Sequence, residues 1–443
     1  MKILVVTMIK ASGSLAGLLI AILLLEYLSV EQLGLYYLTI SITRLTGLAF
    51  TSGLGNAVIP EIQASARGDK VSSTALILAL ILTATCVAVA FGTTKMLEDR
   101  VTLIQAVQGK LLALLAGAAT MQVVLTQIQR ASGRLIIAGL LQEGQGRNIL
   151  LLFGVAVVLL NASGSPGDLS LVLWLVLWAT AVPILIGLLA LGSRSYFSFD
   201  AESAKKLLRT GYRFLPAMLI TLGLPHLILI LTGTLGGAAA AAVFGFAQRI
   251  FGAVGIFHQA ISLAFLKPTR LLRAERLKAA SHSIVRFSCA SAVGTLALVV
   301  SFLVLGVPIL ARFTDFTQLP GVIAVIAVLL ITMMVKAVFG LSRMFLTNLG
   351  AYRVITLLNL VGAGAAFAIC VVFIPALGAL GAAFAVLANA LVLSLGATLV
   401  LRRSYGLPRL DRRRIAVDAR TLRRGGLIRA ARAALAGIKR RSP

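Results

Sequence analysis

Residues 169–191 read LSLVLWLVLWATAVPILIGLLAL and contain no charged side chain. A helix of about 20 apolar residues crosses the hydrocarbon core of a bilayer. Because that core has no water to satisfy a bare backbone, such a segment must be a helix or a strand of a closed barrel. Barrel strands are about 10 residues long and alternate in character. This run is longer and apolar on every side, so it predicts a transmembrane helix.

Similar stretches recur along the whole chain of 443 residues, which is 59% hydrophobic and only 12% charged. Soluble domains carry about 25% charged residues, so a soluble enzyme, a disordered chain and a nucleic-acid-binding domain are excluded as the main body. We predict an all-α polytopic membrane protein with about twelve transmembrane helices. The predicted spans are 4–25, 33–56, 73–94, 106–129, 148–161, 169–191, 212–232, 238–262, 284–311, 320–342, 354–374 and 378–401. The fifth is short, and residues 139–147 either add a turn to it or lie at the surface.

Basic residues indicate the orientation of these spans, because Lys and Arg collect on the cytoplasmic side. The chain has 41 Lys and Arg against 14 Asp and Glu, a formal charge of +27. With the N-terminus in the cytoplasm, 34 basic residues fall in inside segments, four in outside segments and three within spans. We therefore expect both termini to be cytoplasmic.

The spans group into two six-helix lobes, residues 1–193 and 214–401, joined by a cytoplasmic linker at 194–213 and followed by a basic tail at 402–443. Asp200 is expected to cap a short helix within the linker. An even number of spans per lobe means that duplicated lobes have the same orientation. Arg44 and Arg249 are each the twelfth residue of their predicted span. The pairs Arg67-Gly68-Asp69 with Arg273-Ala274-Glu275, and Cys86 with Cys289, repeat at almost the same offset.

Arg44 and Arg249 lie deep within predicted spans, where a charge is costly and usually faces a cavity. Arginine keeps its charge and binds phosphate oxygens bidentately. Two arginines on equivalent helices predict a central cationic cavity that suits an anionic substrate. The alternative is that each pairs with backbone carbonyls and holds helices together.

Four further residues are candidates for the same region. Lys336 and Arg130 are predicted to line the cavity, although either side chain can instead extend to the cytoplasmic face. His226 follows Pro225 and is a candidate coupling or gating residue, as a histidine titrates near physiological pH. Glu61 is a candidate acidic gate, and a solvated helix end is the alternative. We expect no cofactor beyond coupling to a proton or sodium gradient.

The sequence lacks the common motifs of catalytic sites. The sequence contains no GxxxxGK[ST] loop for ATP, no HExxH and no GxSxG, and its three cysteines form no ligand pair. We therefore predict that the protein is not an enzyme and holds no metal. The tail carries 14 Lys and Arg and either lies on the anionic inner leaflet or is solvated. No motif supports nucleic-acid binding.

Four stretches resemble the polysaccharide-exporter branch of the multidrug/oligosaccharidyl-lipid/polysaccharide superfamily. They are residues 31–70 (EQLGLYYLTISITRLTGLAFTSGLGNAVIPEIQASARGDK), 211–216 (GYRFLP), 243–250 (VFGFAQRI) and 374–389 (IPALGALGAAFAVLAN). The third resembles the family's "GLY…AYR" pattern, which puts Arg249 on its arginine. The family often has Asp-Arg in its seventh helix, whereas this chain has His226-Leu227, and a coupling role there is in doubt.

The resemblance implies a bacterial inner-membrane flippase that moves a polyprenyl-pyrophosphate-linked oligosaccharide to the outer leaflet by alternating access. Implied partners are the lipid-linked glycan, membrane lipids, and the polymerase and glycosyltransferases of polysaccharide biosynthesis. The alternatives are a cation-coupled multidrug antiporter of the same superfamily, a membrane glycan polymerase or ligase, and a scaffold for glycan assembly.

Overall fold

The computed structural model describes residues 2–51, 53–64, 68–98, 107–142, 145–161, 167–191, 198–269, 288, 291–308, 312, 318–349 and 351–405. Throughout these ranges the regular structure is helical. The helices are α1 (Lys2–Tyr27), α2 (Val30–Phe50), α3 (Leu54–Ala64), α4 (Gly68–Leu97), α5 (Gly109–Ala131), α6 (Leu135–Leu141), α7 (Gln145–Asn161), α8 (Leu169–Leu191), α9 (Ala201–Met218), α10 (Leu224–Thr269), α11 (Ser291–Gly306), α12 (Val322–Asn348), α13 (Tyr352–Leu377) and α14 (Ala379–Tyr405).

The described helices can be compared with membrane spans by their length and apolar character. Nine helical stretches are long and apolar enough to cross a bilayer. One of them, Ala201–Gly255, is interrupted at Gly237, whose positive φ of 86° is a conformation that glycine adopts without strain, so this stretch forms two spans. The bent pair α6–α7 passes the same test as one broken span, and the shorter apolar helix α11 lies within the ninth predicted span. The chain is therefore a multi-pass membrane protein, and the prediction of about twelve helices is confirmed.

The fifth span is broken. Helices α6 and α7 together are apolar enough to cross, but they bend by 54° at their junction. The predicted span at 148–161 was too short because it began after this bend. Residues 139–141 and 145–147 belong to this broken span, in agreement with the expectation that the segment lengthens it. Arg147 thereby lies in the protein interior.

A long helix begins inside the predicted linker. The Asp200 side chain accepts hydrogen bonds from the backbone N–H groups of Glu202 and Ser203, which caps α9 as expected. Hydrogen bonds from the Ser203 hydroxyl and backbone lower the pKa of this exposed carboxyl. This helix is longer than the short helix expected within the linker. It continues through a π-helical turn, Leu219–Gly223, directly into α10. Residues 201–213 of the linker are thus helical, and the boundaries of the two lobes stay a prediction.

Close helix packing joins the first part of the chain to α10. A Cβ on Gly34 of α2 would collide with the backbone oxygen of Ala238 beside the Gly237 break, and a Cβ on Gly245 would collide with the ring of Tyr37. Phe244 and Phe246 of α10 are fully buried in the same core. Small residues let two backbones approach closely where lipid supplies no hydrophobic drive. We call this close contact between α2 and α10 the glycine seam. It positions two of the helices that line the functional site.

Several predictions fall outside the described residues. They are the tail beyond residue 405, the repeat of Arg67-Gly68-Asp69 at residues 273–275, and Cys289. Cys86 is buried in α4.

Candidate functional site

A cavity of about 560 Å³ lies between the first half of the chain and the start of α10. It has a strong charge bias. Four arginines and one histidine line it, whereas no acidic side chain occurs among the described lining residues. The basic lining residues are Arg44, Arg130, Arg147, His226 and Arg249.

The four arginines come from four different helices. Arg44 projects from α2 and Arg249 from α10, the two helices that pack along the glycine seam. Arg130 stands in the last turn of α5, and Arg147 in the first turn of α7 just after the bend. The structure thus brings Arg44, Arg249 and Arg130 to one cavity, as the sequence predicted. Their role in binding stays a prediction.

Arg147 is the most deeply buried of the arginines, with 5% of its surface exposed. Its Nη2 donates to Asn148 Oδ1 at 3.3 Å, and Asn148 Nδ2 donates to the Gly13 carbonyl at 3.0 Å. This chain of contacts ties α7 to α1. The Arg147 Nε has no hydrogen-bond partner among the described residues. A buried donor without a partner is costly. The position of Arg147 Nε is therefore one at which a ligand can supply the missing acceptor.

Arg130 and Arg249 are held in different ways. Arg130 donates from Nη2 to Oε1 of Gln142, the residue that caps the C-terminal end of α6, at 3.0 Å. The Arg249 guanidinium lies over the ring of Tyr37, 5.7 Å from its centroid, and Tyr37 makes an edge contact with Tyr36. A cation–π contact supports an arginine without neutralising it. Its charge therefore remains available to the cavity.

His226 faces the cavity from the first turn of α10. Its Nδ1 lies 3.4 Å from Ser41 Oγ on α2, and Pro225 beside it also lines the cavity. The π-helical turn just before Pro225 is consistent with the backbone disturbance that a proline introduces. The position of His226 agrees with its choice as a candidate, and its coupling role stays a prediction.

Lys336 and Glu61 are not among the residues that line this cavity. The Lys336 ammonium lies over the ring of Phe251 at 5.0 Å from the centroid. Glu61 Oε2 forms an ion pair with Lys206 Nζ of α9 at 2.6 Å, and Lys206 is 65% exposed. The structure therefore does not bring Lys336 together with the arginines in this cavity, and its role in binding stays a prediction. Depth along a span does not reveal which face of the helix is turned inward.

Sequence reasoning missed Arg147 and a set of amide side chains. The sequence places Arg147 in a cytoplasmic segment, because the predicted fifth span begins at residue 148. The amides are Asn56, Gln122, Gln127 and Gln142, all in the lining. One signal was available. Gln122, Thr126, Gln127 and Arg130 share one face of α5, and a polar stripe along a predicted span is typical of a cavity wall.

Comparison with known proteins gives no match to a family model and none to a curated protein. Solved structures do match. An inward-facing multidrug resistance MATE family transporter of the MOP superfamily superposes with a TM-score of 0.66 and 18% identity, covering 90% of this chain and 98% of that one. The lipid II flippase MurJ in an inward closed conformation superposes with a TM-score of 0.69 and 13% identity, covering 90% and 87%.

The chain has the fold of the MOP-superfamily transporters.

A third MOP-superfamily structure, from Pyrococcus furiosus, superposes with a TM-score of 0.57 and 16% identity, covering 91% of this chain and 95% of that one. It is described as a transporter in which reverse polarity of the binding pocket suggests a different function. The MOP fold is thus shared by proteins described as a drug transporter and as a lipid flippase. For this chain, the fold agrees with the superfamily resemblance seen in the sequence, and the lining of the cavity must carry the argument about substrate.

Proposed function

We propose that this protein is a flippase that moves a polyprenyl-pyrophosphate-linked oligosaccharide from the inner to the outer leaflet by alternating access, for polysaccharide export. The observation that carries the proposal is the charge of the cavity: four arginines and no acidic side chain among its described lining residues. The pyrophosphate and sugars enter the cavity, while the lipid chain stays in the bilayer.

The chemistry of the lining suits a pyrophosphate. Guanidinium groups pair with phosphate oxygens in a planar, often bidentate geometry, and their charge does not titrate away. The electric field of these fixed charges is strong, because protein and lipid of low dielectric constant surround the site. A volume of about 560 Å³ is within the range of small-molecule sites, which run from about 300 to 1,000 Å³. It holds a headgroup with one or a few sugars.

The chief rival function is a multidrug antiporter, because a MATE transporter shares the fold. An organic cation would be repelled by Arg44, Arg147 and Arg249, and no carboxylate in the described lining would receive it. The cationic lining therefore favours the flippase. A glycan polymerase or ligase is disfavoured because the longest outside loop in the sequence, 93–110, is too short to house a catalytic domain.

The setting follows from the same proposal. The protein acts in the bacterial inner membrane with both termini in the cytoplasm, near the polymerase and glycosyltransferases that use its substrate. A proton or sodium gradient drives the cycle. The basic tail binds anionic lipids of the inner leaflet.

Transport into liposomes tests the proposal. The purified protein is reconstituted, and a fluorescent short-chain polyprenyl-pyrophosphate-linked oligosaccharide is added to the outer leaflet, where dithionite destroys the dye it can reach. A flippase protects about half of the dye in its vesicles. The cationic dye ethidium serves as the rival substrate. Uptake of ethidium with no movement of the lipid-linked sugar would overturn the proposal in favour of the antiporter.

A further inference from the structure

The cavity contains two chemically different walls. One carries the arginines of α2, α7 and α10. The other is formed by α5 and the short helix α3, which contribute Gln122, Gln127 and Asn56 to the same lining, with Arg130 in the last turn of α5. We refer to Gln122, Gln127 and Asn56 as the amide wall. A site for phosphate alone has no need of it.

Gln122 is the central observation. Its side chain lines the cavity and is only 1% exposed, yet neither its Nε2 nor its Oε1 has a hydrogen-bond partner among the described residues. The Oε1 of Gln127, one turn further along α5, is unpartnered in the same way. Buried amides are almost always hydrogen-bonded, because an unmade bond costs most of the desolvation of the group. Two such amides on one face of one helix indicate a binding surface.

The surroundings hold Gln127 in place. Its Cγ packs against Gly55 of α3, where a Cβ would come within 3.3 Å. The neighbouring Thr126 hydroxyl donates to the backbone carbonyl of Gln122 at 2.6 Å, so it does not compete for the side-chain amides. The amide groups are thus positioned, and their buried polar atoms have no partner among the described residues.

An amide offers a donor and an acceptor side by side. Vicinal hydroxyls of a pyranose, and the acetamido group of an amino sugar, present the complementary pair. A pyrophosphate oxygen only accepts, and it would leave Oε1 unsatisfied. The chemical class that fits the amide wall is therefore a neutral sugar.

We propose that the amide wall is a subsite for the sugar attached directly to the pyrophosphate, so that the protein selects its substrate by that first sugar as well as by charge. This rests on the proposed function, since the arginines hold the pyrophosphate that brings the sugar to α5. The arginines supply affinity for any prenyl pyrophosphate. Gln122 and Gln127 discriminate between a bare pyrophosphate and one that carries a sugar.

Binding to the full-length protein in lipid nanodiscs tests the subsite by isothermal calorimetry. The probes are geranyl pyrophosphate and three derivatives in which the pyrophosphate carries glucose, galactose or N-acetylglucosamine. We expect at least one sugar-bearing probe to bind about tenfold or more tighter than geranyl pyrophosphate, the effect of one or two buried hydrogen bonds. The double variant Gln122→Leu/Gln127→Leu should lose this gain, so that it binds the sugar-bearing probes no tighter than it binds geranyl pyrophosphate.

Gln129→Leu is the matched control. Gln129 is a buried glutamine of the same helix whose Oε1 also lacks a partner among the described residues, but its Nε2 donates to the Gly187 carbonyl of α8 and it does not line the cavity. It should keep the gain from the sugar. Gln122→Asn, which shortens the side chain and keeps its amide, serves if the double variant does not fold, and it should lose part of the gain.

The outcomes separate the two proposals. If geranyl pyrophosphate binds but none of the three sugars strengthens binding, or if Gln129→Leu removes the gain as fully as the cavity variants do, the subsite is overturned and the flippase proposal stands. If neither geranyl pyrophosphate nor any sugar-bearing probe binds to the wild type, the proposed function itself fails.

Discussion

The cavity wall formed by α2, α5 and α7 differs from the bundle formed by α12, α13 and α14 in how polar residues are used. The first contributes guanidinium and amide groups that line open space. In the second, small hydroxyl groups bond to one another, as Thr398 does when it donates to Ser342 Oγ at 2.9 Å. Lys336 lies on an aromatic ring there. A polar group within a membrane span is therefore a sign of function only where its neighbours leave it facing a cavity.

The largest effect should come from removing the two arginines of the seam. Arg44→Ala/Arg249→Ala should reduce flipping by roughly 100-fold, because a hydrogen bond to a charged group contributes about 1.5–3 kcal/mol and 1.4 kcal/mol is tenfold. Flipping of the lipid-linked sugar into liposomes measures it, at matched amounts of inserted protein.

A charge-matched control for that pair is Arg343→Ala/Arg353→Ala, from helices of the second bundle that do not line the cavity. It should retain transport. Lys336→Ala should resemble it, and a loss as great as that of the arginine pair would return Lys336 to the substrate path. Normal insertion and unimpaired flipping by Arg44→Ala alone would remove Arg44 from the proposed site.

The next effect concerns Arg147, which the sequence had placed outside the membrane. Arg147→Met should reduce flipping by about tenfold, since one charged hydrogen-bonding group is lost from the cavity. Arg134→Met is the matched control, because Arg134 donates to the Ala190 carbonyl and is not part of the lining. Equal rates for the two variants would show that the buried position of Arg147 serves packing alone.

The seam between α2, which contributes to the cavity wall, and α10 can be broken at Gly34. Gly34→Ala should lower the free energy of unfolding by about 1–3 kcal/mol, the usual cost of overpacking, because its Cβ meets the Ala238 backbone, which cannot move aside like a side chain. Thermal unfolding in detergent measures the change. Gly92→Ala on α4 has nothing within 4 Å of its Cβ and should be neutral or stabilising. Similar melting of both variants would argue against the close approach of α2 and α10.

The smallest effect is expected at Glu61. Its ion pair with Lys206 is largely exposed on the lysine side, and such pairs contribute about 0–1 kcal/mol. Glu61→Gln should therefore change the melting temperature little and keep the flipping rate within about twofold, as 0.4 kcal/mol is that factor. A changed dependence of transport on pH or sodium in this variant would instead support the candidate role of Glu61 as a gate or coupling site.

The accuracy of the sequence interpretation depended on how local each feature is. The spans could be predicted because apolar length is a property of a continuous segment, and the cap by Asp200 because it involves residues two and three positions away. Arg44 and Arg249 could be chosen because equivalent positions in two lobes share depth. The absence of Lys336 from the cavity lining and the presence of Arg147 in it could not be predicted, because each depends on a rotation or a bend that only neighbouring helices impose.

The sequence by itself determined that this is a membrane bundle of about twelve helices, since an apolar run of span length has no alternative in a bilayer. It also determined that basic charge is rare within the spans. The tertiary structure alone decided which charges share a cavity, because the bend between α6 and α7 and the glycine seam between α2 and α10 bring distant segments together. It decided as well that Gln122 and Gln127 lack partners, since a hydrogen bond is defined by the three-dimensional neighbours of a group and not by its place in the chain.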